Sequence, residues 1–383
     1  MNTKKTVFIF LLGLLTPWFL QAQKKQSPQF YHLLIGTYTN GTSKGIYTYK
    51  FDTKKGAVTF EQVAEGVKDP SYLAVSADNR FVYAVNESHN PASDSVSAFK
   101  FDAHTGKLTY INMLPTYGTD PCYVSVDKNN KNLFVANYSS GSLVAYSLNK
   151  DGSIGDSLQK IHHPGGGVDT SRQKSAHVHA VVLSPDQKYL FADDLGTDKV
   201  YQYNYQPNDK KPLTPTAQPT VAVKHGSGPR HLVFSADAKH AYLTQEMGAL
   251  VTVFDYANNK LKLIQTIAME SPDFKGQNGA ADLHLSPDGN FLYASNRGQA
   301  NDLVVFKVDK ATGKLSFVER QSCLGNGPRN FAIDPTGNFL LVANQNSDDI
   351  YTFKINKTTG KLTPSGNKLQ LSHPVYLKFV AIK

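Results

Sequence analysis

The chain has 383 residues, with 40 Lys+Arg against 31 Asp+Glu for a formal charge of +9, and it is 19% charged and 40% hydrophobic. That balance excludes a disordered or low-complexity chain, and the length allows a large buried core. Two cysteines, Cys122 and Cys323, cannot build a disulfide framework or a CxxC zinc site, and the scattered lysines argue against a nucleic-acid partner.

Residues 1–22 read as an export signal. Lys4 and Lys5 precede an apolar run from Val7 to Leu15, broken only by Gly13; Thr16 and Pro17 end it, and Ala22 supplies a small residue at the cut. The run is shorter than the ~20 apolar residues of a membrane span. Cleavage is therefore expected near Ala22, giving a periplasmic or extracellular chain with no membrane span and a charge of +7. A short segment, 23–28, then leads into one domain over 29–383.

Within that domain one pattern recurs: a turn, an alternating apolar strand, an Asp/Asn/Gly turn, and a second strand ending in a polar residue. It runs from Pro70 to Asn86, Pro121 to Asn137, Val178 to Asp194, Pro229 to Gln245, Ala280 to Asn296 and Pro328 to Asn344, always 16 residues from first to last. A seventh second strand, Leu33–Thr37, opens the domain. The strand ends at 37, 86, 137, 194, 245, 296 and 344 are 49, 51, 57, 51, 51 and 48 residues apart, a radial or stacked repeat. Two further strand-like runs per unit, such as Leu250 to Tyr256 and Lys260 to Ala268, make four strands per repeat and predict an all-β, seven-bladed β-propeller. The lone C-terminal strand at 373–379 supplies what the N-terminal unit lacks, so the two ends are expected to share one blade and remove the sheet edges.

In an antiparallel blade the start of the first strand and the end of the second share a face. Two rings therefore surround the mouth of the channel. Ser71, Cys122, His179, Arg230, Ala281, Arg329 and Val375 form one; Tyr38, Glu87, Tyr138, Leu195, Glu246, Arg297 and Gln345 form the other. Beside the second run Thr37, Asn86, Asn137, Asp194, Gln245, Asn296 and Asn344. Three of the chain's six arginines occupy these rings, and none of its 34 lysines does. Arginine presents a planar fork to a carboxylate or phosphate where lysine offers a point charge. His179, Arg230, Glu246, Arg297 and Arg329 come from consecutive repeats, a one-sided cluster suited to polarising a carbonyl and moving a proton.

The segments Gly228-Pro229-Arg230-His231, Ala281 to Gly289, Tyr293-Ala294-Ser295-Asn296-Arg297 and Gly327-Pro328-Arg329 resemble the seven-bladed propeller lactonases. That family includes propeller-type 6-phosphogluconolactonases and carboxymuconate lactonizing enzymes. The resemblance implies His179, Arg230, Glu246 and Arg297 as catalytic residues. The surrounding Arg329, Glu87, Asn296, Asn344, Gln345, Asp282 and His177 are expected to bind substrate, with Asp282 orienting an arginine or the water. The expected activity is hydrolysis of a sugar-type, anionic lactone by a monomer without metal or cofactor. A carboxymuconate-type cycloisomerase and a non-catalytic binding propeller are the alternatives. The export signal separates the chain from the cytoplasmic pentose phosphate route, so the family's chemistry carries over more readily than its substrate.

Three other signals compete. Gly41-Thr42-Ser43-Lys44-Gly45 fits the G-x-S-x-G pattern but lies in a hairpin rather than a strand-to-helix elbow. His162, His163, His177 and His179 lack metal-ligand spacing, and His162 to Gly167 reads as a lid or rim loop that accounts for the spacing of 57. Cys122 shares a ring with His179 but has no base in its own repeat, so it is expected to be a packed thiol.

Overall fold

The computed structural model describes Thr3 and residues 28–383; the rest of the expected export signal and residues 23–27 lie outside the described residues. Seven antiparallel four-stranded sheets form a ring. In blade 1 the C-terminal strand Pro374–Ala381 pairs with Phe30–Thr37, so the two ends of the domain close the ring together. Blades 2 to 7 begin with the first strands Leu73–Val75, Pro121–Val126, Val178–Leu183, Pro229–Phe234, Ala280–Leu285 and Pro328–Ile333. First strands of neighbouring blades touch one another around the central axis.

The second strands explain why these sequences fold this way. Phe81–Asn86, Asn132–Asn137, Phe291–Asn296 and Phe339–Asn344 are buried at every residue, as unbroken β-branched and aromatic runs require when both faces are covered. The core is a set of layers between adjacent blades. Tyr242, Val251 and Val253 of blade 5, for example, pack on Leu283, Ala294 and Phe306 of blade 6. Tyrosines stitch the layers: the hydroxyls of Tyr83, Tyr242 and Tyr293 donate to the carbonyls of Gly152, Gly313 and Gly360 at 3.2, 3.0 and 2.8 Å. Gly152 has φ of 86°, and a Cβ there would meet the Phe81 ring at 2.1 Å, so only glycine fits beneath that neighbouring blade.

One backbone feature makes the fold useful. The register of first against second strand slips at Cys122, His179, Arg230, Ala281–Asp282 and Arg329, and of the closing strand at Val375. A bulge adds a residue to one strand and re-aims its side chain. In these six blades the inserted residue falls at the first-ring position; in blade 2, whose first strand starts only at Leu73, Ser71 precedes the paired residues. The backbone N–H of each second-ring residue (Tyr38, Glu87, Tyr138, Leu195, Glu246, Arg297 and Gln345) in turn donates to the carbonyl of His373, Asp69, Asp120, His177, Gly228, Gly279 and Gly327 respectively. The two rings are thereby fastened together in every blade.

Candidate active site

The first-ring residues converge. Ser71, Cys122, His179, Arg230, Arg329 and Val375 line one small cavity on the ring axis, together with Tyr72, His231 and Asn330 from the next position inward. Its volume is about 10 Å³, room for about one water molecule.

Glu246 organises the side of the mouth next to this cavity. Its Oε2 accepts from Arg230 Nε at 2.9 Å and pairs with Arg297 Nη2 at 2.9 Å, while Oε1 accepts from Arg172 Nη2 at 2.7 Å. Arg230 is 1% exposed and also donates Nη1 to the Ala281 carbonyl at 2.7 Å; Arg297 donates Nε to the Gly279 carbonyl at 2.9 Å. Burial works to raise the Glu246 pKa, but Arg297, Arg230 and Arg172 outweigh it and hold the carboxyl well below its usual range. Glu246 is therefore a fixed anion at neutral pH and a poor proton acceptor. Burial and the charge of Arg297 push Arg230 down to about 10, still protonated at neutral pH.

His179 is buried against Cys122, whose Sγ lies 3.9 Å from Nδ1 and donates to the His179 carbonyl at 3.3 Å. Its Nε2 makes no hydrogen bond to a protein group among the described residues. Burial, reinforced by Arg230, His231, Arg329 and Arg297, holds the imidazole well below its ordinary pKa. At neutral pH it is uncharged, with a ring nitrogen able to take a proton.

On the opposite side Tyr38 donates its hydroxyl to Glu87 Oε2 at 2.8 Å, and Arg329 Nη2 lies 3.8 Å from the same oxygen. Arg329 is half-buried, lies over the Tyr38 ring at 5.5 Å and makes no hydrogen bond within the described residues. His177 stacks on Tyr138 with ring centroids 4.6 Å apart and donates Nδ1–H to the Tyr138 carbonyl at 3.0 Å, which fixes it at the rim.

Three expectations need correction. Asn296 and Asn344 do not face the pocket. Both are fully buried, Asn296 donating to Glu270 Oε1 at 2.6 Å and Asn344 to the Cys323 carbonyl at 3.2 Å. Strand alternation turns this position away from the mouth, to fasten the loop entering each blade. Asp282 touches no site arginine. It accepts from His231 Nδ1 at 2.9 Å and His284 Nε2 at 2.8 Å, and from the Asn330 amide. Gln345 is half-buried at the rim and makes no side-chain hydrogen bond among the described residues.

The competing signals resolve one by one. Ser43 donates to the Ser372 carbonyl and helps hold the closing blade. The candidate metal histidines do not converge: His163 binds Asp194 and Tyr203 at 2.8 and 2.9 Å, while His177 is held by Tyr138. Burial pushes the Cys122 thiol far above its ordinary pKa. Two residues escaped the sequence reading. Arg172 belongs to the insertion after His162, outside the repeat, and had no ring position to mark it. His231 follows the ring position of Arg230 by one residue and so was not among the ring residues, yet it stands on the cavity wall.

With this geometry described, the relatives are informative. The chain matches the family Lactonase, 7-bladed beta-propeller, over residues 32–379. It is 34% identical to a 6-phosphogluconolactonase of Bacillus subtilis (strain 168), covering 90% of this chain and 97% of that one. A second 6-phosphogluconolactonase, from Formosa agariphila, is 35% identical over 86% of this chain and 94% of its own length. The solved structure of a Pseudomonas aeruginosa periplasmic gluconolactonase superposes with a TM-score of 0.88 and 41% identity, covering 92% of this chain and all of that one. The chain belongs to the seven-bladed β-propeller lactonases, and its activity is that of a lactonase.

Proposed function

We propose that the mature chain is exported and hydrolyses a sugar lactone carrying an anionic group, with His179 as the proton-transfer residue. The observation that carries this reading is an uncharged, buried His179 beside a cavity sized for one water, surrounded by three guanidinium groups from the rings. Water in that cavity gives a proton to His179 Nε2 as its oxygen attacks the lactone carbonyl. The oxyanion forms beside Arg230 and Arg297, whose orientations Glu246 fixes before substrate arrives, so little reorganisation accompanies charge development. The tetrahedral intermediate collapses by breaking the bond to the ring oxygen, which takes the proton back from His179. The product is an open-chain hydroxy acid that ionises and releases one proton to solvent.

Arg329, which lies 3.8 Å from Glu87 and over the Tyr38 ring at 5.5 Å but makes no hydrogen bond among the described residues, is available for an anionic group on the substrate. Glu246 orients the arginines rather than exchanging protons, because its surroundings hold it ionised. The basic, apolar start of the sequence supports export, as does a structural neighbour described as a periplasmic gluconolactonase.

The test uses the mature chain, a panel of aldonolactones and 6-phosphogluconolactone, read by acid release and by product mass in heavy-oxygen water. Hydrolysis places one heavy oxygen in the new carboxylate. A product of unchanged mass would indicate a cycloisomerase, and saturable binding without product a binding propeller. Either result overturns the proposal. Export is checked by N-terminal sequencing of protein recovered outside the cytoplasm, with a start near Gln23 expected.

A further inference from the structure

Four arginines surround the mouth, but they are not equally committed. Arg230 and Arg297 each combine a carbonyl contact with Glu246 Oε2 and are held from two sides. Arg329 comes from a bulge in the first strand of blade 7. Arg172 differs from all three. It stands on the insertion between His163 and His177, its side chain is 46% exposed, and it reaches inward to Glu246 Oε1 at 2.7 Å and to the Tyr138 hydroxyl at 3.1 Å.

The insertion is built to carry it. One end is pinned by His163 on Asp194 and Tyr203, the other by Gln173, whose side-chain amide donates to the Leu195 carbonyl and Asp198 Oδ1 at 2.8 Å each. Asp169 Oδ1 accepts the backbone N–H groups of Ser171 and Arg172 at 2.9 and 3.1 Å, which shapes the turn immediately before the arginine. The backbone of Arg172 is therefore positioned while its guanidinium remains half in solvent.

The charges give this arrangement a consequence. Glu246 faces three guanidinium groups with a single carboxylate, and if Arg172 leaves, its Oε2 still holds Arg230 and Arg297. Release of Arg172 strands no buried charge, because the departing group is already half hydrated. Release of Arg230 would leave a buried guanidinium without its carboxylate.

We propose that Arg172 is a specificity-determining residue that passes from Glu246 to an anionic substituent, phosphate or carboxylate, at the end of the lactone remote from its carbonyl. This rests on the reading of the His179 cavity as the site of hydrolysis. The planar fork of Arg172 then clamps the substituent at the rim while the carbonyl lies over the cavity.

The experiment compares wild type, Arg172→Gln, Arg172→Lys and His179→Ala on three lactones: neutral gluconolactone, 6-phosphogluconolactone and the carboxylated glucarolactone. For Arg172→Gln the loss in kcat/KM on at least one anionic lactone should exceed the loss on gluconolactone by 10-fold or more, mostly through KM. Arg172→Lys should recover part of that difference. The lactone showing the larger effect distinguishes phosphate from carboxylate. Equal losses on all three lactones would mean that Arg172 acts only by bracing Glu246, and no loss would mean that it does nothing for binding. A wild-type preference for the neutral lactone would leave no anion to recognise. Each of these results overturns the proposal. His179→Ala separates the two levels: if it abolishes turnover of every lactone the pocket assignment stands whatever Arg172 does, and if it changes nothing the pocket itself is wrong.

Discussion

Asp282 Oδ1 lies 2.9 Å from His231 Nδ1, and its second oxygen lies 2.8 Å from His284 Nε2, so one buried carboxylate orients two imidazoles along the ring axis. Burial works to raise the Asp282 pKa, but His284 and His231 outweigh it and keep the carboxyl well below its usual range. Burial and Arg230 push His231 down to about 4. At neutral pH a neutral His231 therefore donates to an ionised Asp282 and presents its ring to the His179 ring, 5.2 Å away between centroids.

Asp282→Asn should consequently damage the axis more than its isosteric shape suggests. The amide lacks the charge, and its NH₂ group would face one of the imidazole N–H groups. A loss of about 3 kcal/mol is expected from breaking buried charge-assisted contacts of this kind, read as a lower urea midpoint. An unchanged midpoint would mean that the network contributes little.

Acid should weaken the fold through the same groups. His179 and His231 have pKa values below the unfolded value of about 6.5, so the unfolded chain binds their protons first as pH falls. Stability is then lost below about pH 6.5, by up to about 1.4 kcal/mol per pH unit for each group, until its native pKa is reached. Glu246 acts in the same direction lower down, because its folded value is depressed and its contribution fades below about pH 4.5. Urea titrations between pH 7.5 and 4 should show midpoints falling steadily with acid. For the same reason kcat/KM should remain level through pH 6.5 and decline only in stronger acid, since His179 is already neutral there. A rate that halves near pH 6.5 would contradict the assignment.

Cys122 touches His179 without serving as a nucleophile. Its thiol is buried and strongly disfavoured as a thiolate. Cys122→Ser should retain activity within about 10-fold, because the hydroxyl can still donate to the His179 carbonyl while burial of a more polar group costs about 1 kcal/mol. A loss matching that of His179→Ala would give the thiol a chemical role.

The repeat made much of this legible. A constant distance of 16 residues from strand start to strand end marks the repeats, and the ring positions it defines include His179, Arg230, Glu246, Arg297, Arg329 and Glu87. Those positions work because six of the seven blades have a bulge at the same place, so one periodic rule specifies both the strand and the side chain aimed inward. Asn296 and Asn344 were misread because they precede the ring position by one residue, and one step along a strand reverses the face. Arg172 was invisible for the opposite reason: it lies on an insertion that interrupts the period, and only tertiary folding brings it 2.7 Å from a carboxylate 74 residues away. The pairing of Asp282 with His231 spans 51 residues and two blades, beyond the reach of a pattern read within one repeat.

The most direct test of the account is the turnover of His179→Ala, measured by proton release from a lactone that wild type hydrolyses, alongside a urea melt of both proteins. Removing a positioned proton-transfer group should lower kcat by about 10²–10⁴-fold with cooperative unfolding retained. Turnover equal to wild type in a folded variant would contradict the assignment of this cavity as the place where the lactone is opened.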